Sequence, residues 1–185
     1  MTNLRLASTE QYPDVMTQNS VRLMSRFLPK KQVLRAVWEG ARDNARSPVQ
    51  WSAEQNAGFT TGTPWFPVND NYKTVNAADQ EADPDSLLNF YRALLRFRKE
   101  HPVALWGDYV ELLPEDRKLY VYERNYEGKK LLVVCSFSED PVRFQAPAGI
   151  ELDEKALVFG NYSWNFVVAN GFTTRPYELR VYLFG

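Results

Sequence analysis

The chain changes character once, at Pro102, and that change most limits what it can fold into. Beyond it lie Asp108–Leu113, Lys118–Asn125, Lys130–Ser136, Val142–Gln145, Ala156–Phe159 and Tyr177–Phe184. These are short runs rich in β-branched and aromatic residues, parted by turn residues, and they read as strands. Leu119–Arg124 and Lys130–Ser136, joined through Asn125-Tyr-Glu-Gly128, form a hairpin pattern. Residues 103–185 are therefore expected to form a small antiparallel β-sandwich. Before Pro102 the periodic segments are helical, so the fold class expected is α+β.

Those helices differ in strength. A short one is expected around Thr17–Leu28, and a second over Lys31–Gly40, with Val33, Leu34 and Val37 on one side and Gly40 as its stop. The strongest is ADPDSLLNFYRALLRFRKEHP, expected over residues 84–101. Asp83 is placed to cap it, Pro84 to occupy its first position and Asp85 to complement its dipole. Leu87, Leu88, Tyr91, Leu94 and Leu95 make an apolar face, with Asn89, Arg92, Arg96 and Lys99 opposite. His101, at the end, reads as dipole compensation rather than as a catalytic group.

From Ala41 to about Asn76 no period holds. A loop of such length is uncommon in a compact domain unless it is functional or disordered. Trp51, Phe59, Trp65, Phe66 and Tyr72 argue for an ordered, packed loop.

Composition narrows the chemistry. A net charge of −1 argues against nucleic acid or an anionic membrane as partner. With one cysteine, Cys135, and one histidine, His101, an intrachain disulfide and a Cys–His metal cluster are both excluded. Cys135, in LLVVCSF, reads as a small core residue. No signal peptide and no membrane-length apolar run is evident, which fits a cytoplasmic location. No Gly-x-Ser-x-Gly elbow and no phosphate-cradling glycine loop is found, so no cofactor is expected. The carboxylate pairs Glu81/Asp83/Asp85, Glu115/Asp116 and Asp153/Glu154 sit in hydrophilic turns and read as solvated surface.

One cluster looks made for a ligand: Arg42, Asp43, Asn44, Arg46, Gln50 and Trp51, in ARDNARSPVQW. Arginine offers a rigid fork of donors, and Asn and Gln both donate and accept. Aromatic rings pack on the apolar face of a pyranose. The same residues would equally serve to tie down a long loop through Arg–Asp pairs.

ARDNARSPVQW, NAGFTTGTPWFPVNDNYKTVN, the Asp-Pro-Asp-Ser helix with LLRFRKEHP, then WGDYVELL, KKLLVVCSFS and TTRPYELRVYLF follow one another in an order that resembles a known family. It is the C-terminal portion of the α-glucosidases of the α-amylase superfamily, glycoside hydrolase family 13. The resemblance is to the oligo-1,6-glucosidase, dextran glucosidase and trehalose-6-phosphate hydrolase type, and it spans essentially the whole chain. It implies that residues 1–102 end a (β/α)8 barrel, with 1–83 the long loop after the eighth strand and 84–101 the last barrel helix. Residues 103–185 would be the C-terminal sandwich. It also implies a retaining, exo-acting hydrolase of short α-linked gluco-oligosaccharides or glucosides.

By the same resemblance, Arg42 matches an arginine that holds the non-reducing-end glucose. Arg46 matches a second family arginine, with substrate and loop roles both open. Gln50 and Trp51 would keep the loop's shape. The three catalytic carboxylates of the family lie upstream of anything matched here, so no catalytic residue, metal ligand or cofactor site is carried over. Met1-Thr2-Asn3 resembles an internal Met-Thr-Asn that follows a Gly-Glu-Glu-Ile-Gly run. The chain is thus expected to be part of a longer enzyme, with the missing N-terminal barrel portion as its partner, and inactive alone. Residues 103–185 with the helix are expected to fold, and residues 1–75 to be loose by themselves. Two alternatives stand beside this reading: a non-catalytic homologue, and a carbohydrate-binding or structural sandwich with Trp106, Tyr109, Tyr120, Tyr122, Tyr162 and Trp164 as its platform.

Overall fold

The computed structural model describes residues 2–163 and 169–185. Met1 and Trp164, named above, lie outside them. The chain divides into two compact units, Met1–Asn89 and Phe90–Gly185.

In the first unit, α1 (Val15–Met24) and α2 (Lys30–Gly40) follow a one-turn 3-10 helix at Thr9–Gln11. α1 ends short of Leu28, and it starts two residues before the expected Thr17 because Asp14 caps it: Asp14 Oδ2 accepts from the Thr17 amide at 3.0 Å. α2 buries Val33 and Val37, as its period requires. The core gathers Leu4, Tyr12, Val37, Ala41 and Phe66. Tyr12 is fully buried, and its hydroxyl donates to the Leu4 carbonyl at 2.7 Å.

The aperiodic segment is ordered, but chiefly by hydrogen bonds rather than by packed rings. It holds 3-10 turns at Arg42–Arg46, Gln55–Gly58 and Asp70–Lys73, and just after it comes a short helix, α3 (Ala77–Ala82), within residues 1–83 that the resemblance implied to be loop. Of the aromatic residues that argued for packing, Phe66 is buried, whereas Trp51, Phe59 and Trp65 stand in solvent.

α4 (Leu87–Glu100) is shorter than the expected 84–101. Asp83 does not start it: Asp83 Oδ1 takes the Asp85 amide at 2.9 Å and the Asp83 carbonyl the Ser86 amide at 3.1 Å, closing a separate turn ahead of the helix. Ser86 caps α4 instead, accepting from the Asn89 amide at 3.2 Å and donating to the Gln80 carbonyl. His101 does not end the helical region. Its ring stacks on Phe97, and Pro102 opens a further helix, α5 (Pro102–Trp106), at the position where proline is best tolerated.

The described residues of the second unit form seven strands: β1 (Asp108–Glu111), β2 (Leu119–Tyr126), β3 (Lys129–Ser136), β4 (Val142–Gln145), β5 (Leu157–Gly160), β6 (Gly171–Thr174) and β7 (Leu179–Phe184). All pairings are antiparallel, in a five-stranded sheet ordered β1-β2-β3-β7-β5 and a two-stranded sheet β4-β6. The expected hairpin is longer and tighter than its pattern suggested. β2 and β3 run to a two-residue turn, Glu127-Gly128, with φ of 48° and 77°, the twist that matches a right-handed strand pair. β6 escaped the sequence reading because it is short and begins with glycine. A Cβ at Gly171 would stand 2.4 Å from the Phe144 carbonyl oxygen, so only glycine allows β6 to lie beside β4.

Alternation along β2, β3 and β7 divides the second unit's core in two. Leu119, Val121, Leu132, Val134 and Tyr182 meet Phe144 and Phe172 of the smaller sheet. Leu131, Val133 and Val181, on the other face, meet Val103 and Ala104 of α5. Cys135 sits partly buried on that face, and burial pushes its thiol up to about 11. Phe90 and Phe97 of α4 lie 5.2 and 5.5 Å from the Phe159 ring. α4 therefore carries two apolar stripes. The one through Phe90, Leu94 and Phe97 lies toward the sheet, and Leu87, Tyr91 and Leu95, four residues apart, remain exposed.

Candidate functional site

The cluster singled out in ARDNARSPVQW separates into residues that hold the loop and one that does not. Asn44 Oδ1 accepts from the Leu4 amide at 3.2 Å while its Nδ2 donates to the Trp38 carbonyl, tying the N-terminal segment to the end of α2. Gln50, almost fully buried, donates through Nε2 to the Val75 carbonyl and to Asn71 Oδ1. The Trp51 amide donates to the Ala57 carbonyl, and the Trp51 carbonyl accepts from the Ala78 amide. The bonds of Asn44 to Leu4, of Gln50 to Asn71 and Val75 and of Trp51 to Ala78 each span more than twenty residues of chain and give the segment its shape.

Asn56, Ala57 and Gly58 are consecutive left-handed residues, with φ of 53°, 58° and 64°. A Cβ at Gly58 would lie 2.6 Å from Ser52 Oγ, so this position needs glycine for space as well as for φ. Asn56 Nδ2 closes the knot by donating to the Thr60 and Gly62 carbonyls. Ala57 keeps its strained backbone while fully buried. Such an over-determined turn is a place where structure is held against local preference.

The two arginines have different surroundings. Arg46 is an ion-pair partner: its Nη1 lies 3.2 Å from Asp14 Oδ1 and 4.0 Å from Asp43 Oδ1. Asp43 is fully buried, and its Oδ2 accepts from the Asp14 amide at 3.1 Å. The Thr17 amide holds the Asp14 carboxyl below the ordinary aspartate value; burial opposes this, and Arg46 and then Arg42 add to the lowering. Arg42 itself makes no side-chain hydrogen bond or ion pair with the described residues. It is exposed at the mouth of a cavity of about 400 Å³ between α1 and α2, whose wall includes Asp14, Thr17, Ser20, Met24 and Val37.

Sequence reasoning named Arg42 and Arg46 but missed Asp14, the residue that touches both the α1 amides and Arg46. Its signal was present as an Asp three residues before Thr17 at the start of a helical period. The carboxylate pairs read as solvated, including Glu115/Asp116 and Asp153/Glu154, are exposed. Among the described residues no group of three or more His, Cys, Asp or Glu is placed to hold a metal ion. No helix among them is long and apolar enough to cross a membrane.

Residues 14–107 match the family described as the α-amylase catalytic domain, and the chain belongs to that family. It is 40% identical to the oligo-1,6-glucosidase of Halalkalibacterium halodurans, over 99% of this chain and 33% of that protein. The crystal structure of trehalose-6-phosphate hydrolase from Bacillus licheniformis is similar with a TM-score of 0.89 and 38% identity, over 99% of this chain and 34% of the other. That of the trehalulose synthase from Pseudomonas mesoacidophila is similar with a TM-score of 0.89 and 32% identity, over 99% and 33%. The chain thus spans about a third of the length of these relatives.

Proposed function

We propose that this chain is the C-terminal portion of a retaining, exo-acting α-glucosidase that hydrolyses short α-linked gluco-oligosaccharides. The observation that carries the reading is the identity with oligo-1,6-glucosidases along the whole chain, through the arginine-bearing turn and the sheet alike. In this reading residues 1–102 close a (β/α)8 barrel, with 1–83 the loop after its last strand, and residues 103–185 form a β-sandwich beside it. The exposed stripe Leu87, Tyr91 and Leu95, with Trp51, Phe59 and Trp65, is apolar surface that such a barrel would cover.

Retaining hydrolysis needs a nucleophile and an acid/base carboxyl about 5–5.5 Å apart. In this reading the remainder of the enzyme supplies them. Arg42 supplies the guanidinium that grips the hydroxyls of the terminal glucose, its donors left open by the fold. Arg46, neutralised by Asp14, holds the turn that presents Arg42.

Combining the chain with the N-terminal two-thirds of the Halalkalibacterium halodurans relative, and following p-nitrophenyl α-glucoside hydrolysis, tests this. The chain alone should give background turnover and the combination a measurable rate that Arg42→Ala abolishes. Turnover by the chain alone, or a reconstituted rate indifferent to Arg42→Ala, would overturn the assignment.

A further inference from the structure

Between α4, α5 and one face of the five-stranded sheet lies a cavity of about 270 Å³, and all of its wall belongs to the second unit. α4 meets the sheet through Phe90 and Phe97, at Phe159 of β5. α5 meets it through Val103 and Ala104, in the cluster with Leu131, Val133 and Val181. Space remains where Ala104 contributes only a methyl to the wall. Leu94 and Phe97 line it from the helix, and Leu131, Val133 and Val181 from the sheet. Tyr122 is a further part of the wall, its ring held by Tyr109 and Tyr120, whose centroids each lie 5.4 Å from its own.

The polar groups of this wall are two guanidiniums, a phenol and the Cys135 thiol, and no carboxylate is among them. Arg98 is exposed on α4 and makes no side-chain hydrogen bond or ion pair with the described residues. The positions three and four residues away, Leu94, Leu95, His101 and Pro102, offer it no acidic partner. Arg124 donates to the Gly107, Ala104 and Leu105 carbonyls. Those acceptors are neutral, so its donors are satisfied while its charge is not cancelled. Among the described residues, Glu111 is the one carboxylate that the strands place on this sheet face, and it lies outside the wall. The Tyr122 hydroxyl has no hydrogen-bond partner among the described residues either. Burial above all, then Cys135 and Tyr120, pushes its phenol up, so it stays a neutral donor.

This combination selects an occupant by polarity and charge. A sugar would strand its hydroxyls against leucine, valine and phenylalanine side chains. An amine would meet two positive charges and no acceptor carboxylate. An apolar body bearing one carboxylate satisfies both parts of the wall. The body displaces water from the aliphatic side chains, and the carboxylate takes the planar fork of Arg98. The volume equals the share of about nine waters, which suits a chain of about eight carbons.

We propose that this cavity binds a medium-chain monocarboxylate, its tail among Leu94, Leu131, Val133 and Val181 and its carboxylate on Arg98, with the Tyr122 hydroxyl as a second donor. The site shares no residue with the Arg42 turn, so neither assignment depends on the other.

The chain carrying ¹³C-labelled Leu and Val methyls is titrated with octanoate, hexanoate, octanol and octylamine. Octanoate should give saturable shifts at Leu94, Leu131, Val133, Leu179 and Val181, and none at Val121 or Leu132 on the opposite sheet face. Hexanoate, two methylenes shorter, should bind about tenfold more weakly. Octanol should bind about fivefold more weakly, and octylamine should give no saturable shift at these methyls. Arg98→Gln should weaken octanoate about fivefold, leave octanol unchanged and keep the parent's thermal midpoint, because Arg98 is exposed. Cys135→Met, which extends a side chain into the cavity, should weaken both ligands; if that variant loses its fold, the parent's shift map and Arg98→Gln decide. No saturable shift by octanoate, octanol or octylamine binding as tightly, or Arg98→Gln taking octanoate like the parent would overturn the proposal. So would shifts centred on Val121 and Leu132, or shifts at the cavity methyls that follow protein concentration without ligand, which would mark filling by a second copy.

Discussion

Arg46 and Asp14 are thirty-two positions apart in the chain, and their side chains meet at 3.2 Å. The contact joins the N-cap of α1 to the turn that carries Arg42, so one carboxylate organises two elements that no local pattern connects. Asp14→Ala should loosen both. Amide exchange is expected to quicken by roughly fivefold or more across Val15–Gln18 and Arg42–Arg46, while the β2–β3 hairpin stays unchanged. Equal protection in the variant would remove Asp14 from this role.

A buried ion pair lies in the second unit, where Arg180 Nε meets Glu178 Oε1 at 2.8 Å and both side chains are almost wholly buried. Arg175 adds a contact to the same oxygen at 3.1 Å, and the Arg180 guanidinium lies 3.8 Å over the Phe172 ring. Truncating one partner strands the other's charge in the core. Glu178→Ala should therefore cost about 3–5 kcal/mol in denaturant unfolding of the second unit.

The same carboxylate gives a pH dependence of known sign. Burial alone would raise the Glu178 carboxyl, but hydrogen bonds from the Arg175 side chain and amide and from Arg180 outweigh it and hold it below the ordinary value. A depressed folded value means stability that is present above the unfolded glutamate value of about 4.3 and lost as pH falls through the folded one. The unfolding midpoint of the second unit should stay flat from neutral pH to about 5 and fall below about 4. Glu178→Gln should reduce that acid slope.

Leu87 and Leu95 are on the outward stripe of α4, 75% and 50% exposed. Replacing both with lysine should reduce self-association of the isolated chain in sedimentation velocity. Stability should change by less than about 0.5 kcal/mol per site, since neither side chain has a core to leave. In the reconstituted enzyme the same pair should impair assembly.

Glu127, in the hairpin turn, holds φ at 48° with no glycine's freedom. Glu127→Asn should stabilise the second unit by about 0.5 kcal/mol, because Asn-Gly is the residue pair this turn prefers. An unchanged or lowered thermal midpoint would count against the turn assignment.

The hairpin and the helices around Val33 and Leu94 were legible because each is written in neighbouring residues: alternation, a 3.6-residue period, turn glycines. The family likeness was legible for the same reason, in contiguous blocks. Element ends were read less well. α4 is capped by Ser86 rather than Asp83, because Asp83 closes a separate turn that accepts the Ser86 amide, between α4 and the short helix α3 that periodicity did not show.

Amino-acid order by itself determined the helices α1, α2 and α4, most of the strands, and that Arg42 and Arg46 stand four apart on one turn. Only the tertiary structure decided that Arg46 is bound by a carboxylate from a distant helix while Arg42 stays open. It alone brought Tyr109 over Tyr122 and sank Arg180 beside Glu178. The physical reason is range: backbone preference and period act over a few residues, whereas the partner of a charge or a ring is whichever group the closed chain brings within a few ångströms.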